Sequence, residues 1–256
     1  MRVIGALGWH TFLEAVRDRI LYLLVFFGIF VFGLSRLLSP LALGEGRRIT
    51  IDVGLVSLSA FGCLLTIFVG HQLIFREIER KTLYFLFSRP IRRADFVVGK
   101  YLGLLMVLAV CLTAMGSILA GVLVLSKYAF GWAFLQAIFM TFLELSIVAA
   151  LAILLASFTT PVLAGLLTLA AYLIGHGSGD LLTFLQGNET STTRIFERIF
   201  AVLVPRLDLY NDSLPVLTGM LWSPEQCLYG ALYAVCYAGA CLFFATVVLS
   251  RRELAL

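Results

Sequence analysis

Six stretches of this chain are apolar for long enough to cross a lipid bilayer: Ile20–Leu38, Val53–Phe75, Tyr101–Ser126, Trp132–Phe158, Pro161–Gly175 taken with an extension beyond it, and Gln226–Ser250. A bilayer core of about 30 Å takes about 20 apolar residues of helix. Backbone inside that core must satisfy its own N–H and C=O groups, so each run is expected to be helical. Composition points the same way: 61% of residues are hydrophobic and 13% charged, where a soluble domain carries about 25% charged. The expected fold is all-α, a polytopic integral membrane protein of six transmembrane helices forming one domain over residues 1–256. The lipid bilayer is its expected partner; nucleic acid is not. The fifth run is the least regular, since Gly175-His176-Gly177-Ser178-Gly179-Asp180 interrupts it.

Six spans put both termini on one side, and the basic residues choose which. With both ends cytoplasmic, 12 of the 19 Lys and Arg residues lie inside and 7 outside. That is the bias expected of cytoplasmic loops. Arg17 and Arg19 precede an apolar block too long for a cleavable signal and followed by no small-residue cleavage site. Ahead of it, Trp9, Phe12, Leu13 and Val16 share one helical face opposite His10, Glu14, Arg17 and Asp18. Residues 1–19 are therefore expected to form an amphipathic helix in the cytoplasmic interface. Residues 178–225 are expected to form a long extracytoplasmic loop containing a short amphipathic helix built on Ile195, Phe196, Ile199, Phe200 and Leu203, with Pro205 ending it.

The cytoplasmic loop over residues 76–100 is unusual. The sequence from Phe75 to Lys100, FREIERKTLYFLFSRPIRRADFVVGK, holds seven of the basic residues. Topology and anionic lipid account for the charge. They do not account for Leu83, Tyr84, Leu86 and Phe87, an apolar patch that needs a partner or a membrane surface to cover it. The loop reads as a docking element.

Evidence for chemistry within the chain is thin. There is no GxxxxGK[ST] phosphate loop, so ATP-driven work would need another chain. Gly177-Ser178-Gly179-Asp180 matches the GxGD pattern of intramembrane aspartyl proteases, a chemistry that needs a second aspartate on a facing helix. Asp52 and Asp208 are assigned to outside loops, and the GxGD stretch reads as a helix break. His10, His71 and His176 belong to separate segments with no ligand-spaced partners, so no metal site is expected. The five cysteines show no CxxC spacing and read as packed thiols. Glu144 stands apart as the acid deep within a span. An ionisable group there is costly unless it faces a cavity or a partner. Either a place in a substrate or ion pathway or a structural hydrogen bond satisfies that requirement.

The docking loop also carries a resemblance. Glu77-Ile78-Glu79-Arg80-Lys81-Thr82-Leu83, then Leu86-Phe87-Ser88-Arg89-Pro90-Ile91, then Arg93 and Gly99-Lys100-Tyr101-Leu102-Gly103, is similar to the E-x-E-x-G-T-L, L-L-S-x-P-x-x-R and G-K-x-x-G pattern of type 2 ABC transporter permeases. Lys81 stands where that pattern has glycine. Leu203-Val204-Pro205 followed by Leu209-Tyr210-Asn211 resembles the family's L-P-x-x-x-x-F-N stretch. The resemblance implies a permease of an ATP-driven exporter in the inner (plasma) membrane. It implies no enzyme activity or cofactor in this chain; ATP and magnesium would belong to a partner ATPase subunit. It also implies pairing with a second permease copy, as homodimer or related heterodimer. The residues it assigns to ATPase coupling are Glu77, Glu79, Arg80, Thr82, Leu83, Leu86, Phe87, Ser88, Arg89, Pro90, Arg93 and Lys100. Both the copper-processing or nitrous-oxide-reductase maturation branch and the sodium or drug exporters fit. A stand-alone secondary transporter or channel using Glu144 is the competing reading, and an intramembrane protease the third.

Overall fold

The computed structural model describes residues 20–38, 46–79, 93–128, 131–178, 204–211 and 213–252. The expected interfacial helix over 1–19, residues 80–92 of the docking loop, and the amphipathic segment around 195–203 lie outside the described residues. All regular structure among the described residues is helical. In chain order the helices are α1 (Ile20–Leu38), α2 (Gly46–Glu79), α3 (Arg93–Leu125), α4 (Trp132–Phe158) and α5 (Pro161–His176). A 3-10 turn (Asp208–Tyr210), the short α6 (Leu214–Thr218) and α7 (Pro224–Arg252) follow.

Four helices, α2, α3, α4 and α7, contain apolar segments long enough to cross a membrane. The shorter α5 is also apolar. The central post is α4, which packs against α2, α3, α5 and α7. Its buried residues occupy every face, including Ala149, Ala150, Ala152 and Ala156. A helix apolar on all sides belongs in a core or a membrane, and small side chains let its neighbours approach closely. Glycines perform the same task on α2 and α3. A Cβ on Gly62 would strike Leu145 of α4, and one on Gly54 would strike Leu119 of α3. These small residues thus serve packing within one subunit.

The ends of α4 coincide with those of its apolar run, whereas α2, α3 and α7 run further. Two assignments change as a result. Asp52 lies in α2, 3.8 Å from Arg48 one turn earlier, and not in an outside loop. The segment between the second and third runs is helical over residues 76–79 and 93–100. Hydropathy marks depth in lipid, and charged residues such as Glu and Arg continue a helix readily once it leaves the apolar zone.

The links are tightly closed. After α3, Lys127 adopts a left-handed backbone with φ 61°. Tyr128 N–H then bonds to the Leu123 carbonyl and Lys127 N–H to that of Val124, satisfying helix-end acceptors in a Schellman-type stop. Between α4 and α5, Thr159 closes back on the Leu155 carbonyl through both its N–H and its hydroxyl. Pro161 then opens α5, where its missing N–H leaves no bond unmade.

Candidate functional site

Glu144 is the 13th of the 27 residues of α4, close to the middle of a helix about 40 Å long. Its side chain is fully buried. The neighbouring polar residues do not serve it: Thr141 bonds to the Ala137 carbonyl and Ser146 to that of Leu143, both within α4. Partners come instead from α2 and α5. Ser59 donates to Glu144 Oε1 at 2.7 Å, and the Tyr172 hydroxyl lies 2.7 Å from Ser59 Oγ. Because the single Ser59 hydrogen goes to the carboxylate, Tyr172 donates to Ser59. One helical turn further along α5, His176 Nε2 stands 3.4 Å from Glu144 Oε1. The Tyr172 and His176 rings lie 4.5 Å apart.

The fourth wall is irregular backbone. Residues 204–211 pack against the end of α5 and alongside α4 and α7. Leu207 is fully buried, and its N–H bonds to the Gly175 carbonyl at 3.3 Å. Arg206 N–H bonds to the Tyr233 hydroxyl of α7, and Tyr210 Oη donates to the Gly230 carbonyl at 2.7 Å. Burial pushes the Tyr210 hydroxyl above the usual phenol range, keeping it a donor. Asn211, next in sequence, reaches His176 Nε2 at 3.3 Å. Close approach here requires Gly175: a Cβ there would lie 2.9 Å from Leu207 and from the Pro205 carbonyl oxygen. Buried non-helical backbone is tolerated when its polar groups find partners, and these bonds meet that condition.

The Gly-rich stretch after α5 is a stop stitched to the same segment. Ser178 Oγ bonds to the Gly175 carbonyl and to Asp208 Oδ1, and Arg206 binds Asp208 Oδ2 at 3.3 Å. Asp208 is thereby committed to structural bonds; Asp180 lies outside the described residues. Among the described residues no group of His, Cys, Asp or Glu has the makings of a metal site, and the five cysteines are free thiols.

The expected coupling residues are spread differently. Residues 80–92, with Arg80, Thr82, Leu83, Leu86, Phe87, Ser88, Arg89 and Pro90, lie outside the described residues. Glu77 and Glu79 belong to the last turns of α2, and Arg93 opens α3. Lys100 lies inside the bundle. It is 4% exposed, with Nζ 5.7 Å from the Phe96 ring. Around it is a small cavity lined by Phe96, Val97, Ile153, Ser157, Ala245 and Leu249, at the junction of α3, α4 and α7.

Glu144 was legible as a buried acid. Its partners Ser59 and His176, and Tyr172 and Asn211 that bond to them in turn, were not, although Asn211 falls within the Pro205–Asn211 stretch that carries part of the family resemblance. A bundle of apolar helices around a buried polar centre fits a polytopic membrane protein. Residues 6–195 match the family model described as ABC-2 family transporter protein. The match covers well over half of the chain, and the chain belongs to that family. It is a membrane permease of an ABC transporter, a class of transmembrane component distinct from the ATPase. A comparison with curated proteins gives no match.

Proposed function

We propose that this permease is the membrane subunit of an ATP-driven exporter and receives its power stroke through residues 76–100. In this reading it lies in the inner membrane with six spans and both termini in the cytoplasm, pairs with a second permease copy, and binds a cytoplasmic ATPase that holds ATP and magnesium. The supporting observation is the length of α2. Its apolar run ends at Phe75, yet the helix continues unbroken to Glu79, about 6 Å further at 1.5 Å per residue. A helix that leaves the membrane unbroken is a lever, and rigid levers carry a docked partner's motion into the spans.

In this mechanism Leu83, Leu86 and Phe87 seat in the ATPase. Glu77, Glu79, Arg80, Arg89 and Arg93 orient the docking, and Thr82, Ser88 and Pro90 shape the turn. Lys100 contributes indirectly, by holding the base of α3 against α4 and α7. Glu144 belongs to the transport pathway.

The test is co-purification of the permease with its ATPase, together with transport in vesicles. Leu83→Asp or Phe87→Asp is expected to abolish transport while the permease still inserts and folds. Unchanged transport in both variants overturns the docking assignment. The buried acid also supports a second reading, a gradient-driven carrier using Glu144. Isolation of a transport-competent permease with no ATPase would favour it.

A further inference from the structure

We propose that Glu144 and His176 form a binding site for one proton inside the membrane domain, with the proton held on Glu144 Oε1 and directed at His176 Nε2. The proposal stands on hydrogen-bond geometry and is independent of the coupling role of residues 76–100.

His176 Nδ1 faces the Tyr172 backbone carbonyl at 3.3 Å. A carbonyl only accepts, so Nδ1 carries the hydrogen and Nε2 of the neutral ring is left with a lone pair. Asn211 Nδ2 also lies 3.3 Å from Nε2, so its N–H and the Glu144 carboxyl share that one lone pair. On the other side, Glu144 Oε1 is already an acceptor, taking the hydrogen of Ser59, whose own oxygen accepts from Tyr172. Oε1 and Nε2 thus face each other at 3.4 Å as two acceptors. Two lone pairs repel at that distance, and one proton between them converts the repulsion into a hydrogen bond. The remaining oxygen, Oε2, has no hydrogen-bond partner among the described residues, so none of them supplies a second donor to the carboxylate. A neutral carboxyl donating to a neutral imidazole leaves no net charge beside the fully buried Glu144.

A proton is also the one ligand that needs no cavity. Access runs by way of His176, whose side chain is about a quarter exposed while Glu144 is fully buried. Among the described residues, the other titratable groups facing the pair are Cys63 on α2, Tyr172 on α5 and Tyr210 in the irregular segment, which interact electrostatically with Glu144. Asp208 acts on His176 and is itself neutralised by Arg206. From α7, Tyr233 reaches Arg206 and Tyr210. Neither Cys63 nor the tyrosines supply a second carboxylate or a cation at the pair. Binding and release of the proton therefore alter the contact that ties α5 and residues 204–211 to α2 and α4.

The experiment is an infrared pH titration of the full-length permease in lipid nanodiscs, in H2O and D2O, with Glu144→Gln and His176→Gln variants. The expected result is a protonated-carboxyl stretch that titrates, shifts in D2O and disappears in Glu144→Gln. His176→Gln should displace its midpoint by about one pH unit, a tenfold change in proton affinity. Three results each overturn the proposal: no carboxyl band assignable to Glu144, a band that does not change with pH, or the same midpoint in His176→Gln. Should Glu144→Gln fail to fold, wild type carrying 13C-glutamate separates glutamate from aspartate bands, and His176→Gln then decides the outcome.

Discussion

At the scale of single residues, the bundle depends on places where a side chain is missing. Gly175 is the sharpest case, because the atoms a Cβ would meet include the backbone oxygen of Pro205. A side-chain end can rotate away, as Leu145 can beside Gly62, but a carbonyl fixed by its own chain must move with the whole segment. Gly175→Ala is therefore expected to push residues 204–211 outward, lowering stability by about 1–3 kcal/mol, the usual range for overpacking. Gly33→Ala, where a Cβ meets nothing within 4 Å, is the matched control. Thermal unfolding in detergent, followed by the tryptophan fluorescence that includes buried Trp222, should show a lower midpoint for the first and little change for the second. Equal midpoints would mean that the close approach at Gly175 contributes nothing.

At the scale of elements, two kinds of helix divide the work. Glu144 is held by α4 through packing on every side, and the apolar length of that helix matches its run in the sequence. By contrast, α2 and α3 are 34 and 33 residues long, about 50 Å each, well beyond a bilayer core of about 30 Å. If the α2 extension is a lever, breaking it should disconnect the two ends without disturbing the span. Glu77→Pro removes a helical hydrogen bond and introduces a clash with the preceding turn, at a cost of about 3 kcal/mol. The expected outcome in reconstituted vesicles is ATP hydrolysis that continues while transport falls at least tenfold. Transport retained at the wild-type rate would show that the extension carries no force.

At the scale of the whole molecule, orientation follows from the distribution of positive charge. With the six expected spans, twelve Lys and Arg fall on one side and seven on the other, which predicts cytoplasmic termini and a cytoplasmic docking segment. Single cysteines introduced into a background lacking the five natural free thiols can read this directly. Lys127→Cys and Glu225→Cys should react with a membrane-impermeant maleimide from outside intact cells. Arg89→Cys should react only after the membrane is opened. The reverse pattern would invert the molecule and move the docking segment away from any cytoplasmic ATPase.

What could be read from the chain alone follows the solvent. Apolar runs reveal which residues lie in lipid, because each span must bury itself regardless of its neighbours, and so the all-helical class and the ends of α4 were legible. The same logic exposed Glu144 as an acid in the wrong solvent, and the motif around residues 77–103 pointed to the family. Other features depend on relations between distant residues. Ser59 and Glu144 are 85 positions apart, and His176 and Asn211 are separated by 35, so no local pattern marks them as partners. Their meeting is set by the packing of α2, α4 and α5, with Gly175 admitting irregular backbone beside α5. Hydropathy alone likewise could not mark where α2 and α3 end, because a helix persists in water wherever its residues favour it. Depth in the membrane is a property each segment carries by itself, whereas a buried polar centre exists only where several segments converge.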